Sequence, residues 1–152
     1  MTPEDFMREA LAEARKAGEE GEVPIGAVVV RGDEIVGRGR NHRELGKNAL
    51  AHAEIEAIDN ACRTLGGWRL WECDLYVTLE PCPMCAGAII NSRIRNVYYG
   101  AADPKAGSCG SVIDLFSLPY NHKPLCHSGV LEPECSNILS SFFKELRARK
   151  KN

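Results

Sequence analysis

Asp74-Leu75-Tyr76-Val77-Thr78-Leu79-Glu80-Pro81-Cys82-Pro83-Met84-Cys85 runs from an alternating apolar segment into a C-x-x-C. Leu75, Val77 and Leu79 fall on one face of an extended chain, so residues 74–79 are predicted as a strand. Pro81 to Cys85 forms the turn into a helix that continues to about Ser92, with both cysteines at its start. Thiolates are stabilised at such a helix N-terminus. About 30 residues upstream stands His52-Ala53-Glu54. One histidine and two cysteines are three ligands for a zinc ion. Three protein ligands leave the fourth tetrahedral position to water, which is the catalytic arrangement rather than the structural one. Glu54, two residues past His52, lies close to the metal without ligating it. A ligating Glu54 is the rival reading, but two thiolates already neutralise the zinc. A lone C-x-x-C would be weak, because it fits a redox pair or half a zinc finger. The H-x-E, the proline before Cys82 and the spacing together are far more specific.

Working outward, residues 51–65 read as a helix that stops at Gly66-Gly67, which puts His52 and Glu54 in its first turn. Near the N-terminus, Thr2 caps a helix, Pro3 suits its first position and Asp5 completes a capping box. Phe6, Ala10, Leu11, Ala14 and Ala17 make its apolar face, and Gly18 and Gly21 end it. Pro24 precedes a strand at 25–31 whose Ala27-Val28-Val29-Val30 is too apolar for either face to be exposed. Gly32-Asp33 turns the chain into a second strand at 34–40. Residues 41–50 are a loop. A fourth strand covers 97–100, and the Gly/Ser-rich stretch 103–111 is a loop. Residues 112–118 are a short helix ended by Pro119, and 125–130 a fifth strand. The last helix starts at Pro133 with apolar positions Ile138, Leu139, Phe142, Phe143 and Leu146. Strands alternating with helices predict an α/β fold: a three-layer α/β/α sandwich around a five-stranded mixed sheet.

The chain has 152 residues, 44% hydrophobic and 26% charged, which suits one domain spanning 1–152. No apolar run is long enough to cross a membrane, and the acidic N-terminus is not a secretory signal. The cytoplasm is the expected location. Beyond the C-x-x-C pair, Cys62, Cys73, Cys109, Cys126 and Cys135 lack paired spacing, and the total of seven is odd. They are read as reduced thiols serving as small apolar residues. His42, His122 and His127 lack a ligand pattern and are read as surface or core residues. The net charge of -2 does not announce a nucleic-acid binder. The end of the chain is basic, however, with Lys144, Arg147, Arg149, Lys150 and Lys151 against Glu145. Such a run is either a solvated helix end or a phosphate contact.

These residues resemble the cytidine deaminase superfamily, and most closely its bacterial-type tRNA adenosine deaminases. The resemblance is carried by residues 23–28, by Ala51-His52-Ala53-Glu54-Ile55, by residues 75–82, by Cys85-Ala86-Gly87-Ala88 and by Ser92-Arg93-Ile94. Residues 99–111 and the ending from Glu134-Cys135 to Phe142-Phe143 match as well. It covers nearly the whole chain. The zinc signature marks the superfamily only; the loop after the fourth strand and the last helix mark the branch. The resemblance implies a homodimer with one zinc per subunit. It implies deamination of adenosine to inosine at the wobble position (34) of a tRNA anticodon stem-loop. Glu54 would move a proton from water to N1 of the adenine, then to the amine departing from C6. Substrate contacts are implied at Asn41, Ala53, Asp103, Lys105 and Phe143. Read from the residues alone, Asn41 is equally a turn or cap, Asp103 and Lys105 a solvated loop, and Phe143 part of the core. Two other functions compete. A deaminase of a free base such as guanine or cytosine would share every zinc residue, but would be expected to close its pocket with C-terminal residues rather than end in a basic helix. A non-catalytic, zinc-stabilised RNA-binding subunit would lack the shuttle carboxylate, which Glu54 supplies.

Overall fold

The computed structural model describes residues 1–150; Lys151, the end of the basic run, lies outside the described residues. Helix α1 (Pro3–Glu19) starts with the expected capping box: Thr2 Oγ1 accepts from the Asp5 N–H at 3.2 Å, and the Asp5 carboxylate accepts from the Thr2 N–H at 2.9 Å. The helix passes through Gly18, an expected stop, and ends one residue later. Strands β1 (Gly26–Arg31) and β2 (Glu34–Arg40) form the hairpin. Val29 pairs with Gly37 but Val30 with Ile35, so Val36 is an extra residue at a bulge. Helix α2 (Ala53–Leu65), strand β3 (Cys73–Leu79), helix α3 (Pro83–Asn91) and strand β4 (Asn96–Ala101) follow.

Most boundaries fall within two residues of the sequence reading, and three further elements near the end of the chain also differ. The helix expected at 112–118 is a single 3₁₀ turn, Leu115–Ser117, capped by the Asp114 carboxylate. Strand β5 (Leu125–His127) is three exposed residues long and stops short of 130, with Gly129 at φ 80 after it. Helix α4 (Glu132–Lys150) begins one residue before Pro133.

The sheet order is β2-β1-β3-β4-β5, with β1 antiparallel to β2 and β3, and β3, β4 and β5 parallel. This is the five-stranded mixed sheet expected. The strand period of two divides its side chains between two cores. Ala27, Val29, Leu75, Val77 and Val97 pack under α2 and α3 with Ala57, Ile58, Ile89 and Ile90. Val28, Val30 and Tyr76 pack against Phe6, Met7, Ala10 and Leu11 of α1 and Cys135 of α4. Both faces of β1 are therefore buried, which is why its sequence is continuously apolar. The carboxyl ends of β3 and β4 open where α2 and α3 begin, and the candidate site lies there.

Candidate metal centre and active site

His52 is the N-cap of α2 rather than a member of its first turn, and Cys82 is the N-cap of α3. Both have extended backbones, and neither side chain caps its helix. A capping side chain stabilises a helix by ~1 kcal/mol. Two caps are thus given up, and both side chains turn toward one point. Cys85, three residues into α3, joins them. His52 Nδ1 lies 3.7 Å from Cys82 Sγ and 3.6 Å from Cys85 Sγ, and all three ligand atoms lie within 4.8 Å of one another. Tetrahedral zinc with bonds of about 2.3 Å to sulfur and about 2.0–2.1 Å to nitrogen requires N···S separations of about 3.5–3.6 Å. The donors present match that spacing and chemistry.

The same three groups shift one another's ionisation. A hydrogen bond donated by the Cys85 thiol, together with His52, holds Cys82 down at about 4 despite burial. Donating that bond, burial and the Glu54 charge push Cys85 up. The Cys82 thiolate raises His52 above its usual value. Glu54 is buried at 4% exposure, and burial pushes its carboxyl up to about 7, with the Cys82 thiolate adding to the rise. A cation among the ligands would draw Glu54 back toward the ionised form.

A cavity of about 240 Å³ opens over this cluster. Of the residues expected to meet a substrate, Asn41, Ala53, Asp103 and Phe143 line it, as do His52, Glu54 and Cys82. Lys105 does not; the loop presents Ala106 to the cavity, and the Lys105 side chain is exposed. Val23, Ile25, Arg43, Leu79 and Glu80 also line it, and the sequence reading did not single out any of them as a substrate contact. Arg43 is an exposed cation two residues past Asn41, and that adjacency was the available signal. Phe143 is 40% exposed at the mouth and meets Phe142 edge-on at 5.5 Å, so Phe142 rather than Phe143 is the half-buried member of the pair.

The loops that carry these residues are held by side chains. Asn41 is 5% exposed; its Nδ2 donates to the Val23 carbonyl at 3.2 Å and its Oδ1 accepts from the Arg43 N–H at 3.0 Å. Asp103 Oδ1 accepts from the N–H groups of Lys105 and Ala106, an Asx turn within its own loop. Glu22, fully buried, accepts from the N–H groups of Glu44 and Leu45 at 3.0 and 2.7 Å. Glu80 accepts from the N–H groups of Asp103, Cys109 and Ser111 at 3.0, 3.0 and 3.1 Å and from the Ser111 hydroxyl. Burial pushes its carboxyl up, but the Ser111 hydroxyl and the three N–H groups outweigh burial and hold it below the usual range.

The remaining histidines are occupied elsewhere. His42 Nδ1 lies 2.7 Å from Glu56, His122 Nε2 donates to the Ile94 carbonyl at 2.6 Å, and His127 stacks on Tyr98 at 4.5 Å. His122 thereby has one ring nitrogen occupied by the backbone. All seven cysteines are free thiols. Cys73, Cys109 and Cys135 are buried as expected, whereas Cys126 is exposed because β5 is an uncovered edge.

Residues 1–147 match the family described as MafB19-like deaminase. The chain is 54% identical over 147 residues to the tRNA-specific adenosine deaminase of Bacillus subtilis (strain 168), covering 96% of this chain and 91% of that one. It is 51% identical over 143 residues to the tRNA-specific adenosine deaminase of Agrobacterium fabrum, covering 93% and 94%. Among solved structures, one from biochemical and structural studies of A-to-I editing by tRNA:A34 deaminases at the wobble position of transfer RNA superposes with a TM-score of 0.86 at 51% identity, covering 89% of this chain and 99% of that one. A guanine deaminase from Bacillus subtilis superposes at 0.66 with 38% identity, covering 77% and 74%.

Proposed function

This chain belongs to the MafB19-like deaminases and to the family of tRNA-specific adenosine deaminases, and from that premise we propose that it hydrolyses adenosine to inosine at the wobble position of a tRNA anticodon. One observation carries the chemistry: the His52–Cys82–Cys85 ligand set lies beside a buried Glu54 at the base of a cavity. The ligand set fits zinc, one ion per subunit. Bound there, zinc would supply the Lewis acidity that makes water nucleophilic near neutral pH.

The chain's own residues do the rest. Glu54 takes a proton from water and delivers it to N1 of the adenine as C6 is attacked. It then takes the remaining proton of the hydroxyl added at C6 and gives it to the amine, which leaves as ammonia. A buried carboxylate that can accept a proton and return it without moving far suits both halves of this transfer. Val23, Ile25 and Leu79 give apolar walls for a flat base, and Ala53 lies against it. Asn41 retains one N–H for the base or its ribose. Asp103 stands on the opposite side of the mouth, and the exposed Phe143 ring offers a stacking surface for a flanking base. Lys105 is kept as a contact to the RNA outside the cavity. Arg43 and the α4 cations Lys144, Arg147 and Lys150, all exposed, are placed to meet phosphates.

A free-base deaminase is the alternative. Phe143 is the only residue of α4 lining the cavity among the described residues, so α4 leaves the mouth open to a polymer. No helix among the described residues is long and apolar enough to cross a membrane. We place the single-domain enzyme in the cytoplasm with tRNA, and as a homodimer. The test is incubation of zinc-loaded protein with an anticodon stem-loop carrying adenosine at the wobble position, beside free adenosine, guanine and cytidine, with products identified by mass. Inosine from the stem-loop alone is expected; equal efficiency on a free base would overturn the assignment.

A further inference from the structure

We propose that Glu22 and Glu80 are positioning residues: two buried carboxylates that hold the loops on either side of the cavity in the form that receives RNA. The proposal rests on the RNA-deaminase reading above for the ligand, and on geometry alone for the holding.

Residues 41–52 and 102–114 contain no helix or extended strand, yet they supply Asn41, Arg43, Asp103 and Ala106 to the cavity. Each is gripped from below by one carboxylate. Glu22 is 0% exposed, and each of its oxygens takes one of two successive N–H groups, those of Glu44 and Leu45. Glu80 is 2% exposed and takes the N–H groups of Asp103, Cys109 and Ser111 and the Ser111 hydroxyl, all on the other loop. The backbones of both glutamates belong to the framework: the Glu22 N–H donates to the Ala17 carbonyl of α1, and the Glu80 N–H to the Ala101 carbonyl of β4. Each side chain therefore ties a rigid element to an irregular one. The second loop closes directly over its carboxylate, because a methyl group at Gly107 would stand 2.3 Å from Glu80 Cδ.

Among the described residues neither glutamate has an ion-pair partner. A buried carboxylate without a cation is costly, and a core built for stability alone would favour an apolar side chain. What the charge does here is collect several loop N–H groups at one point. Loops ordered during folding need not be ordered again when RNA binds, so the entropy of ordering does not subtract from affinity.

The test uses the zinc-loaded full chain and four variants: Glu22→Gln, Glu80→Gln, Ser111→Ala, and Met7→Ala as a control on the far face of the sheet. A carboxamide is near in shape but turns an NH₂ toward N–H donors. Amide hydrogen exchange should quicken at Glu44 and Leu45 in Glu22→Gln, and at Asp103, Cys109 and Ser111 in Glu80→Gln. KM for the stem-loop should rise about tenfold with kcat within about threefold, the signature of lost binding rather than lost chemistry. Ser111→Ala should give a smaller change of the same kind and keeps the test open if Glu80→Gln does not fold. Met7→Ala should destabilise the protein without moving KM. Unchanged exchange at these amides overturns the proposal whether or not the stem-loop is a substrate. So does a KM shift no larger than that of Met7→Ala at matched loss of stability. An inactive wild type would instead overturn the RNA-deaminase reading and leave the exchange result to decide the holding role.

Discussion

Gly39 of β2 and Ala53 of α2 are in backbone contact: a methyl group at position 39 would stand 2.2 Å from the Ala53 carbonyl oxygen and 2.6 Å from the Ala57 nitrogen. Gly37 makes the same close approach one turn along, to the Ala57 carbonyl at 2.2 Å. The start of α2 is thus seated against the sheet by the absence of two side chains. Ala53 stands between the metal ligand His52 and the proton carrier Glu54. Gly39→Ala should push the helix start outward, destabilise the protein by about 1–3 kcal/mol as overpacking does, and lower zinc content and turnover together. Thermal unfolding and metal analysis on one preparation check this. Full zinc and full activity would mean that the seating does not set the site.

Glu54→Gln should keep zinc and fold and lose turnover by ~10²–10⁴, the range expected for removing a positioned acid–base group. Single-turnover rates on the stem-loop, with zinc measured on the same sample, decide it. A near-normal rate at full zinc would remove Glu54 from the chemistry.

Zinc uptake should release protons, and the direction follows from the ligand ionisations. Cys82 is held down at about 4, whereas Cys85 and His52 are both raised above their ordinary values. Zinc takes cysteine as thiolate and histidine as neutral imidazole, so binding must expel the protons that these raised groups hold. Protons and metal compete, so zinc affinity falls as pH falls. Calorimetry in buffers of different ionisation enthalpy counts the protons. Cys82→Ser and Cys85→Ser should each lose zinc and activity, and stoichiometric tight zinc in both would refute the ligand assignment.

The exposed cations of α4 should act through phosphates. Lys144→Ala with Arg147→Ala should raise KM for the stem-loop, leave zinc content alone, and flatten the salt dependence by about 0.7 in log–log slope for each lost contact to single-stranded RNA. Arg149, which pairs with Glu145 at 2.7 Å, should matter less. A KM indifferent to salt in the wild type would count against any phosphate role for the helix.

Local chemistry was readable from the residues; relations across the chain were less so. The Thr2 capping box and the β-hairpin need only neighbours. The ligand set was readable because metal chemistry restricts residue type and spacing. That His52 is an N-cap with an idle capping side chain was not, because a boundary two residues later changes its place without changing the pattern. Glu22 and Glu80 were invisible as loop holders. Their donors lie 22 to 31 residues away, and a glutamate that accepts only N–H and O–H groups has no charge partner to betray it. Lys105, expected to meet the substrate, does not line the cavity, whereas Ala106, whose N–H the Asp103 carboxylate also accepts, does. For Phe142 and Phe143, a helical period places both near the core boundary, and only packing separates them.

The ligands sit at the N-terminal ends of α2 and α3, whereas most of the cavity's remaining wall comes from irregular segments. This is a division between a reactor and its adaptor. The reactor depends on sheet, helices and glycine contacts, and tolerates little change. Each adaptor loop is fastened at one carboxylate, so a loop of new sequence that still offers N–H groups there could be exchanged without disturbing the ligands. A lineage with this layout can acquire a new substrate by rewriting the segments over Glu22 and Glu80 while inheriting its zinc chemistry unaltered.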